Sequence, residues 1–187
     1  SGANADPSLR PRLHVHHTLV NDLWQSLHGG MGAIQGKIAQ LETYFDVRPI
    51  MRNGCFAFAE TNFRTVQVVH YYDGFEIVPT YGLLIEHSGT RVFITTDSQD
   101  GPNQMNDFRA LAHVIFQDCE TTNSQSTGHA HYDELKALDD ETKARMWLYH
   151  YHDGDKPDST ADGFRGWVAR GQVFDFDNPA SFSSPKT

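Results

Sequence analysis

From Thr18 to Leu27 the apolar residues Leu19, Val20, Leu23, Trp24 and Leu27 recur three and four positions apart. That spacing lines one face of an α-helix, so it predicts an amphipathic helix here, ended by the glycines of "HGGMG". A second short helical segment is expected from Ile34 to Leu41. The pattern then becomes that of strands. "YFDVRPI", "CFAFAE", "FRTVQVVHYY", "FEIVPTYGLLIEH" and "RVFITTD" are rich in β-branched and aromatic residues, and Asn53-Gly54, Asp73-Gly74 and Ser88-Gly89 supply turns between them. These strands are expected to be largely antiparallel. Helical spacing returns at Met105 to Leu111, followed by the strand "VIFQD" and a polar loop from Thr121 to Thr127. A helix from Tyr132 to Leu138, one more helical turn and the strand "MWLYHY" complete the series. A β-rich stretch followed by β-α-β implies a layered α/β domain with its site at strand ends. The opening Ser1 to Arg12, with Pro7 and Pro11, lacks apolar periodicity and reads as an irregular arm.

Composition narrows the function classes. A chain of 187 residues is long enough for one domain with a full hydrophobic core. Its longest apolar stretches, such as Tyr81 to Ile85, are too short to span a bilayer. No basic-then-apolar leader opens it, so a cytoplasmic location with no membrane partner is expected. The net charge of −9 and pI of about 5.6, with no Lys/Arg stripe, disfavour a bulk nucleic-acid binder. They do not exclude a phosphodiester substrate, because a metal ion can supply positive charge locally. Cys55 and Cys119 form no CxxC pair and read as reduced thiols. Histidine is in excess: there are 11, clustered as His14, His16 and His17, then His129 and His131, then His150 and His152. Neutral imidazole is the commonest ligand of transition metals.

The strand ends carry the candidate chemistry. "TVQVVHYY" places His70 in a strand, "VFITTD" ends on Asp97, "VIFQDCE" brings Asp118 and Glu120, and "MWLYH" ends on His150. Taken singly, a strand-end Asp is a turn or cap residue, and a strand His is a hydrogen-bonded core or rim histidine. Four such endings in the order His, Asp, Asp, His suit a metal instead. Imidazole and carboxylate oxygen favour Zn²⁺, with Mn²⁺ or Fe²⁺ as alternatives. Trp147, Tyr149 and Tyr151 alternate with Leu148 and His150, a pattern of core and rim packing.

Three longer stretches carry a family resemblance: "VQVVHYYDGFEIVPTYGLLIEHSGTRVFITTDSQ", "VIFQDCETTNSQSTGHAHYDELKAL" and "MWLYHYHDG". Together they resemble the C-terminal half of a metallo-β-lactamase-fold hydrolase of the ribonuclease Z-like or phosphodiesterase-like kind, over roughly Leu13 to Phe176. The resemblance implies an αββα sandwich, only the C-terminal part of it in this chain, with two divalent metal ions. In that family the His before "YGL" binds metal, the Asp of "TTD" bridges two metals and the His of the late strand binds the second. The matches here are His70, Asp97 and His150. His129 in "GHAHY" matches a histidine that handles substrate phosphate or leaving-group protonation, with His131 a weaker match; capping the N-terminus of the helix from Tyr132 to Leu138 is the other reading of both. Asp118 and Glu120 would serve as general acid/base or as orienters of the metal histidines.

The sequence departs from the family at its leading signature, HxHxDH. In "HVHHTLVNDL", His14 and His16 have HxH spacing, but Thr18 and Leu19 stand where Asp and His are needed. A second alignment makes "LHVHHTLVNDLWQSLHGGMGAIQGKIAQLETYFDVRPI" the region that follows the motif, so that the N-terminal sheet and its ligands lie outside this chain. The expected organisation is then an arm at 1–12, the domain at 13–176 and a tail at 177–187. A complementary N-terminal-half chain, or a second copy, would cover the apolar sheet face left open. The expected substrate is a small phosphodiester or RNA. Two other classes fit the residues: a non-catalytic remnant or binding module of the same fold, and a mononuclear thioester or lactam hydrolase using His70, Asp97 and His150.

Overall fold

The computed structural model describes residues 6–51, 54–122, 126–178 and 182. The chain divides into two compact units, Ser1–Phe56 and Ala57–Thr187. No helix among the described residues is long and apolar enough to cross a membrane.

In the first unit a 3-10 turn at Pro7–Leu9 is followed by β1 (Arg12–His16), α1 (Val20–Met31), β2 (Ala33–Ile34), β3 (Lys37–Ile38), α2 (Leu41–Tyr44) and β4 (Asp46–Ile50). β1 and β4 pair in parallel. Three local expectations are corrected. The arm gives way to a strand already at Arg12, and its first five residues lie outside the described ones. Helix α1 does not stop at the glycines but runs through Gly29 and Gly30 to Met31, where the Gly32 N–H bonds the His28 carbonyl at 2.8 Å. Each glycine costs only about 1 kcal/mol relative to alanine, which a continuing helix tolerates. The segment expected to be helical from Ile34 is instead a two-residue hairpin between β2 and β3, with Gln35 at φ 47° and Gly36 at φ 78°. Two left-handed residues in succession give the turn whose twist matches flanking strands. Helix α2 supplies the single turn that follows.

β5 (Cys55–Phe58) carries the chain from the first unit into the second; of the Asn53-Gly54 turn before it, Asn53 lies outside the described residues. The second unit continues with β6 (Thr61–Tyr72), β7 (Ile77–His87), β8 (Thr90–Ile94), α3 (Pro102–Leu111), β9 (Val114–Asp118), α4 (Tyr132–Lys136), α5 (Asp140–Lys143), β10 (Met146–Tyr149) and β11 (Gly166–Trp167). One sheet holds the strands in the order β11-β10-β9-β8-β7-β6-β5. β6, β7 and β8 are antiparallel as expected, whereas β8, β9, β10 and β11 run parallel. The short strand β11 carries no sequence pattern that announces it.

Period-two alternation explains why the parallel strands are apolar throughout. Phe93, Ile115, Met146 and Leu148 enter one core, with Met105 of α3 and Tyr132 and Leu135 of α4. Val92, Val114, Phe116 and Trp147 enter the opposite core, which the chain's own Phe174, Phe176 and Phe182 help to close. Both faces of these strands are therefore covered, the usual condition of a parallel sheet. Phe182 belongs to the segment expected to be the tail, and it is buried. The rest of that segment beyond Asn178 lies outside the described residues.

Two irregularities prepare the site. Val69 pairs with Pro79 and Tyr71 with Val78, so His70 is the extra residue of a bulge in β6. Gly82 of β7 is buried against the end of β8: a Cβ there would stand 2.7 Å from the Ile94 carbonyl oxygen.

Candidate metal centre

The parallel strands end side by side, and the residues just beyond them build the site. β9 ends on Asp118, β10 ends one residue before His150, and β8 ends three residues before Asp97. His150 has φ 67° and Thr96, next to Asp97, has φ 57°. Left-handed backbone is uncommon for any side chain and costly for a β-branched one, so both positions are held by their surroundings. For Thr96 the holding bonds are visible: its carbonyl accepts from the Tyr149 hydroxyl at 2.8 Å, and its own hydroxyl donates to the Tyr81 carbonyl at 3.2 Å.

Asp118 is the centre of the arrangement. Its side chain has no exposed surface, yet its carboxylate accepts three donors. Oδ2 takes the Ser98 N–H at 2.8 Å and lies 2.7 Å from His129 Nδ1, while Oδ1 lies 2.9 Å from His150 Nδ1. Burial raises the carboxyl above its ordinary value, against the lowering effect of the His129 and Ser98 bonds and of the neighbouring imidazoles. His70 is held in a similar way, with Nδ1 3.0 Å from the Gly128 carbonyl oxygen. A carbonyl and an ionised carboxylate only accept hydrogen bonds, so each of these three Nδ1 atoms carries its proton. Each neutral ring then keeps a lone pair on Nε2, the preparation found in metal-binding histidines.

The rings form a row, with centroids 5.6 Å apart for His70 and His129 and 4.3 Å apart for His129 and His150. Asp97 stands at the outer end, exposed, with Oδ1 3.7 Å from His150 Nδ1. Ligand atoms of Asp118, His129 and His150 lie within 4.8 Å of one another, a group of metal-type donors that could hold a divalent ion, in which Asp118 meets the two rings at Nδ1 and leaves their Nε2 atoms for coordination or proton exchange. His70 and Asp97 are the further donors, one ring and one side chain away from that trio. Five of the residues singled out in the sequence, His70, Asp97, Asp118, His129 and His150, are thus neighbours.

Glu120 and His131 serve the surrounding loops. Glu120 accepts from the Ser126 N–H at 2.8 Å and from the Thr122 hydroxyl. Burial alone would raise its carboxyl, but these bonds prevail and hold it at about 2. His131 is the N-cap of α4: Nδ1 accepts from the Asp133 N–H at 3.3 Å and Nε2–H donates to the Thr122 carbonyl at 2.8 Å. Part of the Thr121 to Thr127 loop lies outside the described residues. A cavity of about 320 Å³ adjoins His129, lined by Gln99, Asp100, Ser126, Thr127 and Glu134. The sequence reading missed Gln99, whose only signal was its place two residues after Asp97.

The sheet and the site at its strand ends define a metallo-β-lactamase-fold protein. The metallo-beta-lactamase fold protein YhfI from Bacillus subtilis has a TM-score of 0.53 with it, at 15% identity over 83% of this chain and 59% of that one. A family described as Anti-Pycsar protein Apyc1 matches residues 3–174, and the chain belongs to that family. The chain is similar to the Anti-Pycsar protein Apyc1 of Paenibacillus harenae, at 28% identity over 160 residues, covering 84% of this chain and 60% of that protein. It is similar also to that of Bacillus phage 010DV004, at 26% identity over 174 residues, covering 87% of this chain and 64% of that protein. The chain therefore spans less than two thirds of the length of these curated relatives.

Proposed function

We propose that the protein is a metal-dependent phosphodiesterase acting on a small phosphodiester, of which a cyclic mononucleotide is among the smallest natural examples. The observation that carries this reading is the set of three imidazoles, His70, His129 and His150, each with Nδ1 bound to an acceptor and Nε2 left to coordinate or to exchange a proton. His70, His150 and Asp97 are the residues we assign to metal. When bound, divalent metal supplies a nucleophilic hydroxide at neutral pH and neutralises charge on the phosphoryl oxygens.

The remaining steps belong to the protein. His129, about a quarter exposed, faces the cavity and delivers a proton to the leaving oxygen. Asp118 fixes its tautomer and stabilises its imidazolium form before that transfer. Because Asp118 also holds His150, one buried carboxylate sets both the acid and a metal ligand. The finer form of the proposal has two metal ions, with Zn²⁺ first among the candidates. The further ligands that form requires would come from a complementary chain or a second copy.

The test is hydrolysis of bis-nitrophenyl phosphate and of 3′,5′-cyclic nucleotides by the metal-loaded protein with any chain that co-purifies with it. Activity that a chelator abolishes and Asp97→Ala eliminates supports the reading. Absence of chelator-sensitive turnover on every phosphodiester, RNA included, overturns it.

A further inference from the structure

We propose that Gln99 is a positioning residue that locks the segment carrying His129 against the strand carrying His70. The network begins at Pro79. Val69 faces Pro79 across the β6–β7 ladder, and a proline has no N–H to give. The Val69 carbonyl is satisfied from outside the ladder, by the backbone N–H of Gln99 at 3.0 Å. This brings Gln99 beside the bulge that contains His70. From there its side-chain amide Nε2 donates to the Thr127 carbonyl, two residues before His129.

The next carbonyl along, that of Gly128, is the one that His70 Nδ1 uses. Successive carbonyls, Thr127 and Gly128, are therefore held by Gln99 and by His70. Residues 126–130 have no helical or strand hydrogen bonding of their own, so such cross-bonds fix where His129 stands. Others act beside them: the Ala130 N–H bonds the Ser98 carbonyl at 2.9 Å, the Glu120 N–H bonds the Ala130 carbonyl at 2.8 Å, the Ser126 N–H bonds the Glu120 carboxylate at 2.8 Å, and the His129 ring itself is held by Asp118 at 2.7 Å. Of all these, the Gln99 amide is the one side-chain donor that comes from the Asp97 loop. It couples Asp97, His70 and His129 through a group that touches no reacting atom.

A glutamine is required by length and by polarity. Asparagine is one methylene shorter, and glutamate presents an acceptor to a carbonyl that needs a donor. Releasing Thr127 loosens Gly128, and His70 then loses the acceptor that selects its Nδ1–H tautomer. This consequence is readable without metal and without substrate, so it separates failure of the positioning role from failure of the phosphodiesterase reading.

The experiment is nitrogen-15 NMR of the imidazoles in the metal-free full chain, at a pH where the rings are neutral. The wild type is expected to show His70 as a single Nδ1–H tautomer. Gln99→Ala and Gln99→Glu are each expected to give a mixture of tautomers at His70, with α3 and β9 amide resonances unmoved. A His70 that keeps its single tautomer in a folded Gln99→Ala protein overturns the proposal. Should both variants fail to fold, side-chain amide exchange in the wild type decides: Gln99 Nε2 protons exchanging several-fold more slowly than those of the exposed Gln104 support it, and equal rates overturn it.

Discussion

Asp118 Oδ2 lies 2.7 Å from His129 Nδ1, and the other oxygen of the same carboxylate holds His150 at 2.9 Å. One buried side chain thus sets the tautomer of two histidines from two different segments. Replacing it by asparagine leaves a single acceptor oxygen for two Nδ1–H groups, and Asp118→Asn is expected to lower metal affinity or activity by about 10–100-fold. Equilibrium dialysis against a metal buffer, with circular dichroism to verify folding, measures this. Unchanged affinity together with unchanged activity would remove Asp118 from its orienting role.

His129 acts, in this account, on charge that develops during the reaction. His129→Ala is expected to reduce kcat by about 10²–10⁴-fold with little change in KM. Steady-state kinetics on a phosphodiester with a poor leaving group is the appropriate assay, since a good leaving group departs without a proton. A rise in KM at constant kcat would reassign His129 to ground-state binding.

How much of this was readable beforehand depends on the length scale of the signal. β6 to β10 follow from alternation and from β-branched runs, because each strand buries its own residues. His70, Asp97, Asp118 and His150 stand out as metal-type residues in or near strand ends, and His129 through the family resemblance at "GHAHY". What the sequence does not show is how they are bonded to one another, since which oxygen of Asp118 meets which ring depends on the folded chain. The path of α1 through Gly29 and Gly30 was missed because glycine weakens a helix without forbidding it, and the Gln35-Gly36 hairpin because a left-handed glutamine has no sequence mark. β11 is two residues long and depends wholly on pairing with β10.

Gly82 tests the link between fold and site. Gly82→Ala brings a methyl group to 2.7 Å from the Ile94 carbonyl oxygen, a clash with backbone that cannot simply rotate away. A loss of about 1–3 kcal/mol in unfolding free energy is expected from overpacking of this kind. Urea denaturation measures it, and a variant as stable as the wild type would mean that the end of β8 yields freely.

Asp139 supplies a pH-dependent contribution far from the site. Its side chain caps α5 by accepting the Thr142 N–H at 2.8 Å, and the bonds from Thr142, backbone first and hydroxyl second, hold its carboxyl below the usual 3.8. A carboxyl depressed in the folded state contributes stability that is complete above its unfolded pKa, about 4, and is lost as the pH falls through the folded value. Asp139→Ala is expected to cost about 1 kcal/mol at neutral pH, the usual value of an N-cap. The difference from wild type should shrink below pH 4; a difference that persists undiminished at pH 2 would assign the effect to something other than the ionised cap.

Metal content of the purified protein, by elemental analysis after dialysis, bears most directly on the account as a whole. The wild type is expected to retain a transition metal, and His70→Ala, Asp97→Ala and His150→Ala are each expected to reduce the amount retained while the fold persists. A wild type that takes up no metal from a Zn²⁺ or Mn²⁺ buffer, or full occupancy in all three variants, would contradict it.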